Sequence, residues 1–257
     1  MKVTDKYNDP IEAAKAQALA EYSAKKASSV PTEIVDLPSE GRFYPKGHPL
    51  RSGKIEMRYM TAYDEDILSN MSYIRNGVVI DKLLESLIVT PGVSYDDILN
   101  CDKDTLLLSA RILSYGKTYD VSVKSPSGKE LKRSVDLTKL ELTTSNLSTD
   151  ENGIISYQTD SVNAKVRLLT IKQQNEVQVS TKPLFEFLVQ SIVEINGNTS
   201  KEQIKEYLQY NLLARDSKQL RKYIVDNLPS HASSYEFEDE DGGVFTAGFQ
   251  IGPDFFY

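Results

Sequence analysis

The stretch that most restricts this chain is residues 37–53, in which proline and glycine are unusually dense. Five of the twelve residues from 38 to 49 are of these two types: Pro38, Gly41, Pro45, Gly47 and Pro49. Proline fixes its own φ angle and glycine permits turns that other residues avoid, so the pattern predicts tight turns with one conformation. Phe43 and Tyr44 lie in the middle of it. We call residues 37–53 the lead segment.

A strand and a helix are predicted directly after the lead segment. Residues 54–59 alternate between charged and apolar side chains, which is the period of a half-buried strand. Thr61, followed three residues later by Asp64, has the spacing of a capping box. We therefore expect a short helix from residue 62 to about residue 70.

Residues 1–32 are predicted to form a helical arm and a linker. Asp9 is a suitable helix cap, and Pro10 suits the first helical position. A narrow apolar stripe follows: Ile11, Ala14, Ala18, Leu19 and Tyr22. Two interpretations stay open, a partly frayed arm or a helix that orders on contact with a partner. The charged first residues argue against a signal peptide.

Charge and composition exclude several classes of protein. The 257 residues have a formal net charge of −7. Nucleic-acid binding needs clustered Lys and Arg, so no nucleic-acid partner is expected, although a local basic patch stays open. The negative charge suits either solubility or a basic protein partner. No segment approaches the roughly 20 apolar residues of a membrane helix, so no membrane partner is expected. The single cysteine, Cys101, cannot form an internal disulfide.

The same order of elements is predicted twice. Residues 33–142 and residues 143–257 each show a strand, a short helix, an apolar helix, further capped helices and a final hairpin. Arg58 and Arg167 occupy the same point of the two strands. We therefore predict an α+β fold of two related helical halves, each starting with a short strand and ending in a β-hairpin. Duplication within the chain is the hypothesis that explains this order.

Several boundaries are expected from local signals. The polar residues 142–153 are predicted to form a linker or a long surface loop. Asp102 is expected to cap a helix, and Asp216 to cap another. Pro183 is expected to open an apolar helix that includes Ile192 and stops at residues 196–197.

The residues that catalysis or metal binding would need are few and scattered. His48 and His231 are the only histidines, and both are interpreted as turn residues rather than bases. Cys101 is interpreted as an ordinary thiol, although it precedes a helix cap. No nucleotide-binding motif is present, and the acidic run 236–241 lacks the ligand spacing of a calcium loop. We therefore predict no enzyme activity, catalytic residue, metal or cofactor.

Two aromatic groups are candidates for partner binding. Phe43 and Tyr44 are either folded onto the core or offered to a partner, and both interpretations stay open. The end of the sequence carries three consecutive aromatic residues, Phe255, Phe256 and Tyr257. These either enter the core or form a docking peptide. Arg58 and Arg215 complete the predicted set of residues that contact a partner or set the conformation.

Four motifs resemble a known family: LPSEGRFYP-x-GHPL-x-SG-x-IEMRYMTA-x-DEDIL from residue 37, NGVVIDKLLESLIV from residue 76, LLARDSKQLRKYI from residue 212, and the final G-x-DFFY. They resemble the baseplate hub proteins of T-even-type contractile-tailed phages. This resemblance implies a non-enzymatic role in viral tail assembly, in the host cytoplasm or also in the virion baseplate. Both a hub subunit and an assembly factor, acting as a chaperone, fit it. Other hub proteins are the implied partners, and the oligomeric state stays open.

The family often carries a Cys-x-x-Cys knuckle at the turns of two hairpins, which implies zinc. The corresponding turns in this sequence read SPSG at residues 125–128 and DEDG at residues 239–242. No thiolate is available there, so a tetrahedral zinc site of that type cannot form. Packing of side chains on the two hairpins is expected to replace it: Tyr119, Val121, Tyr235 and Phe237.

Two alternative functions are weighed against hub assembly. A nucleic-acid-binding module derived from a zinc ribbon requires a basic face and salt-dependent binding to DNA. An enzyme with a carboxylate pair requires acids that converge in a cleft and have raised pKa values.

Overall fold

The computed structural model describes residues 30–231, 234–248 and 253–256. Almost all of the predicted N-terminal arm lies outside the described residues, and so does Tyr257. The described residues form helices and small antiparallel sheets, which confirms the predicted α+β class.

The first half begins with two antiparallel strands separated by the lead segment. Strand β1 (Thr32–Asp36) pairs with β2 (Lys54–Arg58), and Ile88 forms a bridge to Met57 on the other side of β2. The helices of this half are α1 (Ala62–Leu68), α2 (Met71–Arg75), α3 (Val79–Leu87) and α4 (Lys103–Tyr115). The predicted hairpin follows, with strands β3 (Thr118–Lys124) and β4 (Glu130–Asp136).

The second half contains a three-stranded sheet. A two-stranded ladder, β5 (Leu142–Thr143) with β9 (Ser230–His231), joins its two ends. The sheet strands are β6 (Ile155–Gln158), β7 (Asn163–Val166) and β8 (Ile192–Ile195), with β7 in the centre. The helices are α5 (Ile171–Val179), α6 (Pro183–Ser191), α7 (Lys201–Tyr210) and α8 (Ala214–Asp226). The second hairpin pairs β10 (Ser234–Glu238) with β11 (Val244–Gly248).

Two expected boundaries are wrong and one is confirmed. Helix α6 ends at Ser191, and the β-branched residues that follow form β8, because that strand completes the ladder beside β7. Helix α8 begins at Ala214, so Asp216 is a buried first-turn residue and not the cap. Asp102 precedes α4 as expected, but its side chain makes no cap hydrogen bond.

A single cluster of buried apolar side chains runs through both halves. The halves are joined by backbone contacts, since the Asn100 amide donates to the Leu169 carbonyl at 2.9 Å and the Ile171 amide to the Ile98 carbonyl at 2.8 Å. Both halves place a strand pair, a capped helix, an apolar helix and a third strand or bridge in the same order. A common origin of the halves stays a hypothesis.

The two hairpins lie side by side. Lys129 on the first turn forms an ion pair with Glu240 on the second, with 2.5 Å between Nζ and Oε2. The Arg133 guanidinium also donates to the Glu238 carbonyl at 3.0 Å. Of the four residues expected to hold the hairpins, Val121 and Phe237 are buried and Tyr119 and Tyr235 are half-buried. Their role in holding the hairpins stays a prediction.

Candidate functional site

The lead segment is held by its own backbone contacts. A Cβ atom on Gly41 would lie 2.3 Å from the Arg51 carbonyl oxygen, so only glycine fits this close approach, and Gly41 has a φ of +74°. The Arg51 guanidinium turns back and donates to the carbonyls of Arg42 at 2.5 Å and Tyr44 at 2.7 Å. One side chain therefore closes the turn, and the spacing of residues in the sequence gives no sign of this role.

Tyr44 lies at the centre of a buried hydrogen-bond network. Its hydroxyl donates to the Asp102 carboxylate at 2.8 Å and accepts from the Leu99 amide at 3.0 Å. Ser39 donates to the same carboxylate through its amide at 3.0 Å and its hydroxyl at 2.9 Å. The network fastens the lead segment to the start of α4.

Asp102 is a buried acid whose carboxylate accepts hydrogen bonds from neutral groups. Within the described ranges it forms no ion pair with Lys, Arg or His, and its side chain is inaccessible to solvent. Burial raises the pKa of this carboxyl, although hydrogen bonds from Ser39 and Tyr44 act in the opposite direction. It is enclosed beneath Tyr44, so it does not face a substrate cleft.

Phe43 fastens the lead segment to residues 142–153. A Cβ atom on Gly153 would lie 2.1 Å from the Phe43 carbonyl oxygen, which shows how closely the two backbones approach. Thr149 donates to the Arg42 carbonyl at 3.0 Å, and Arg42 donates to the Ser145 carbonyl at 2.6 Å. The expected linker is therefore packed against the lead segment, because these polar residues find backbone partners on it.

Arg58 is part of a buried ion pair at the end of β2. Its guanidinium donates to both Asp64 oxygens at 2.7 Å, and its Nε donates to the Ser86 carbonyl at 2.9 Å. The Asp64 side chain is 0% exposed. Burial alone would raise the pKa of Asp64, but hydrogen bonds from Arg58, Thr61 and Ser86 outweigh it and lower the pKa to about 2.

The aromatic end of the chain is part of the core as far as the structure describes it. Phe255 and Phe256 are buried, and Phe255 makes an edge contact with Tyr119 at 4.7 Å between ring centroids. Arg111 on α4 donates to the Phe255 carbonyl at 3.1 Å. Tyr257 lies outside the described residues.

The predicted contact residues therefore lie in four separate settings. Phe43 and Tyr44 lie in the lead segment, Arg58 at the end of β2, and the two phenylalanines beside α4. Arg215 differs from them, because its side chain is 72% exposed at the start of α8 and lies 3.4 Å from the Asp216 carboxylate. Partner binding by any of these residues stays a prediction.

His48 and Cys101 lie in surroundings that are typical of residues with a structural role. His48 Nδ1 accepts from the Leu50 amide at 3.2 Å, and its ring stacks on Tyr44 at 4.8 Å. Burial lowers the pKa of His48 and raises that of the Cys101 thiol well above its usual value. These settings suit a turn residue and an unreactive thiol. His231 Cα pairs with Leu142 in the short ladder.

Residues 30–231, 234–248 and 253–256 contain neither a candidate metal site nor a candidate membrane span. No group of three or more His, Cys, Asp or Glu side chains in these ranges is arranged to hold a metal ion. None of the helices there has the length and apolarity of a membrane span.

The chain matches the model of a known protein family. The family model for T4 bacteriophage base plate protein matches residues 31–239, which include the lead segment and both strand pairs. No curated protein and no solved structure matches the chain. Because the matched residues make up most of the sequence, the chain belongs to the T4 bacteriophage base plate protein family.

Proposed function

We propose that this baseplate protein is a non-enzymatic hub assembly protein, either a subunit or an assembly factor, that acts by binding other hub proteins. The family match supports a role in the phage tail. The observation that supports binding rather than catalysis is the placement of the two fully buried acids with altered pKa values. Asp64 and Asp102 are each enclosed by hydrogen bonds that hold the chain's own elements together.

The lead segment acts in this proposal by setting the shape that a partner meets. Its aromatic side chains are buried, so Phe43 and Tyr44 fix the positions of α4 and residues 142–153. Among the predicted residues that the structure describes, Arg215 is the one with an exposed side chain, and we assign it a direct contact. Arg167, also exposed, is the matched control for replacement of Arg215 by alanine.

The test is capture of a tagged chain from phage-infected cells, followed by mass spectrometry. Recovery of baseplate hub proteins, with none recovered from uninfected cells, supports the proposal. Absence of the chain from both assembly intermediates and purified virions contradicts it. Presence in virions at a fixed ratio identifies a subunit, and presence in intermediates alone identifies an assembly factor acting in the host cytoplasm.

A separate measurement of DNA binding at several salt concentrations tests the nucleic-acid alternative. Binding to DNA at low salt that weakens as salt rises identifies a nucleic-acid-binding module. The two hairpins give that alternative little support, because Lys129 is paired with Glu240 and Arg133 donates to the Glu238 carbonyl.

A further inference from the structure

An apolar groove lies between α6 and α8. Its volume is about 430 Å³, and Val177 at the end of α5 contributes to its lining. The remaining apolar lining comes from both helices: Pro183, Leu184, Phe187 and Val225. A groove between two helices is a common binding site for a third helix that is amphipathic.

Apolar side chains on this face are open to solvent. Leu184 is 63% exposed and Val225 is 57% exposed, on opposite sides of the groove. Val179, two residues beyond Val177, is 85% exposed. Single exposed apolar residues are ordinary, but a group of them around a groove indicates an interaction surface.

The rim of the groove is basic. Its charged residues are Lys218, Arg221, Lys222 and Asp226, a sum of three positive charges and one negative charge, or +2. The whole chain has a net charge of −7, so this face differs in sign from the molecule. Lys222 is paired with Asp226 at 2.5 Å, while Lys218 forms no ion pair within the described part of the chain. The rim is therefore complementary to an acidic partner.

Helix α8 uses one stripe for its own core and another for the groove. Leu220 and Ile224, four residues apart, are buried. Residues 218, 221, 222 and 225 follow the spacing of a single helix face and line the groove. The groove stripe is thus not needed for packing of α8.

We propose that this groove binds an amphipathic helix of another baseplate protein, whose apolar face is bordered by Asp or Glu side chains. The inference rests on the proposed function and adds the position and chemistry of the contact. The apolar face of the incoming helix covers Leu184 and Val225, and its acids face Lys218 and Arg221. A second copy of this chain and a ligand without acids are alternative occupants that the experiment distinguishes.

The first test replaces Leu184 by aspartate. Leu184 lies in the first turn of α6, where an acid suits the helix dipole, so L184D is expected to fold. Loss of an apolar anchor should weaken capture of baseplate proteins by about tenfold or more. Met71→Asp is the matched control, because Met71 is 58% exposed in the first turn of α2. M71D should leave capture unchanged.

Charge reversal tests the acidic border. K218E should weaken capture about three- to tenfold at low salt and less at high salt. Lys205, also exposed on a helix of the second half, is the control in K205E. If wild type, L184D and K218E capture baseplate proteins equally well, the groove is not the binding site. That result would leave the proposed binding of hub proteins standing. Failure of wild type to capture any baseplate protein instead overturns the proposed function.

Cross-linking identifies the occupant directly. The probe is p-benzoylphenylalanine placed at Val225, with irradiation of phage-infected cells and sequencing of the cross-linked peptide. A segment of another baseplate protein with acids bordering an apolar helical face supports the proposal. A segment of this chain, or one without acids, overturns it. This readout remains decisive if L184D fails to fold.

Discussion

The strand pairs β1–β2 and β6–β7 lead into their helices in the same way but are joined differently. After β2, Thr61 precedes α1, and after β7, Thr170 precedes α5. The third residue of each helix, Asp64 or Gln173, accepts a hydrogen bond from the threonine amide, at 2.8 and 3.0 Å. The two helix starts therefore share one capping geometry. The acceptor is a carboxylate in the first and a neutral amide in the second.

The surroundings of the two helix starts explain the difference. Asp64 faces Arg58, a largely buried arginine with a 13% exposed side chain, whose charge needs a partner. Arg167, which follows β7, is exposed and needs none, and Gln173 instead donates to Gln190 at 3.4 Å. The comparison teaches that the capping geometry requires only an acceptor, whereas the negative charge serves the buried guanidinium.

The connections between the paired strands also differ. In the second half, residues 159–162 form a tight turn in which the Thr159 amide donates to the Val162 carbonyl at 2.8 Å. In the first half, the whole lead segment occupies that place. The extra residues reach α4 through Tyr44 and residues 142–153 through Phe43. The first connection therefore performs long-range packing that the second does not.

The largest expected effect separates the two arginines. Arg58→Ala leaves Asp64 buried without its cation, which should lower the free energy of unfolding by about 3 to 4 kcal/mol. Arg167→Ala should change it by less than about 0.5 kcal/mol. Urea titration of both variants measures this. Equal losses would mean that the two helix starts are stabilised alike.

The second prediction concerns the docking of the lead segment. Gly153→Ala places a Cβ against the Phe43 carbonyl and strains a φ of +74°, so the expected loss is about 2 to 3 kcal/mol. Gly128 has a φ of +85° with no atom within 4 Å of an added Cβ. Gly128→Ala should therefore cost only about 1 kcal/mol. A similar cost at both positions would remove the close approach as a source of stability.

The acid at the first helix start predicts a pH dependence. The pKa of Asp64 is about 2 in the folded chain against 3.8 for the free group, so the unfolded chain binds more protons between these values. Ionised Asp64 contributes about 2 kcal/mol to the free energy of unfolding. This contribution is complete above about pH 4 and is lost as the pH falls through 2. Unfolding of wild type and Asp64→Asn across this range measures it, since other acids are common to both. Parallel curves would contradict the assignment.

The hydroxyl of Tyr44 gives a smaller effect. Tyr44→Phe removes a donor from the buried Asp102 carboxylate and leaves the Leu99 amide without an acceptor, at an expected cost of about 1 to 2 kcal/mol. Tyr157 is a buried tyrosine with no hydrogen bond to its hydroxyl in the described part of the chain, and Tyr157→Phe is the control. Thermal unfolding compares them. If both variants unfold at the wild-type temperature, the network contributes nothing.

The smallest effect is expected for a substitution that makes the second helix start resemble the first. Gln173→Asp keeps an acceptor for Thr170 and adds a negative charge in the first turn of α5. Because Arg167 is exposed, the gain should be within about 0.5 kcal/mol. Urea titration against wild type checks this. A gain near that of the buried pair would show that Arg167 is able to move inward and pair.

Local signals predicted much of this fold. The capping boxes at Thr61 and Thr170 and the first hairpin follow from residue type and spacing within a few positions. Strand β8 was missed because the preceding apolar helix continues its pattern into Ile192, and only pairing with β7 ends it. Such a choice depends on tertiary contact, which short-range spacing does not encode.

The sequence predicted where the lead segment lies but not which residues it contacts. The density of proline and glycine identified the lead segment, and the structure shows its fixed turns. Its partners, Asp102 and Gly153, lie far along the chain, and a lone aspartate or glycine carries no sign of such a partner. The groove between α6 and α8 was missed for a similar reason, since each helix alone has an ordinary apolar stripe.

The contact between the lead segment and residues 142–153 has a consequence for synthesis of the chain. Lys46 and Glu151, which are joined by an ion pair, are 105 residues apart in sequence. At roughly 5 to 20 residues per second on the ribosome, the lead segment waits about 5 to 20 s for this partner. During that interval Phe43 has been made, but Gly153, against which its carbonyl packs, has not. The nascent chain therefore exposes an aromatic turn that the finished protein conceals.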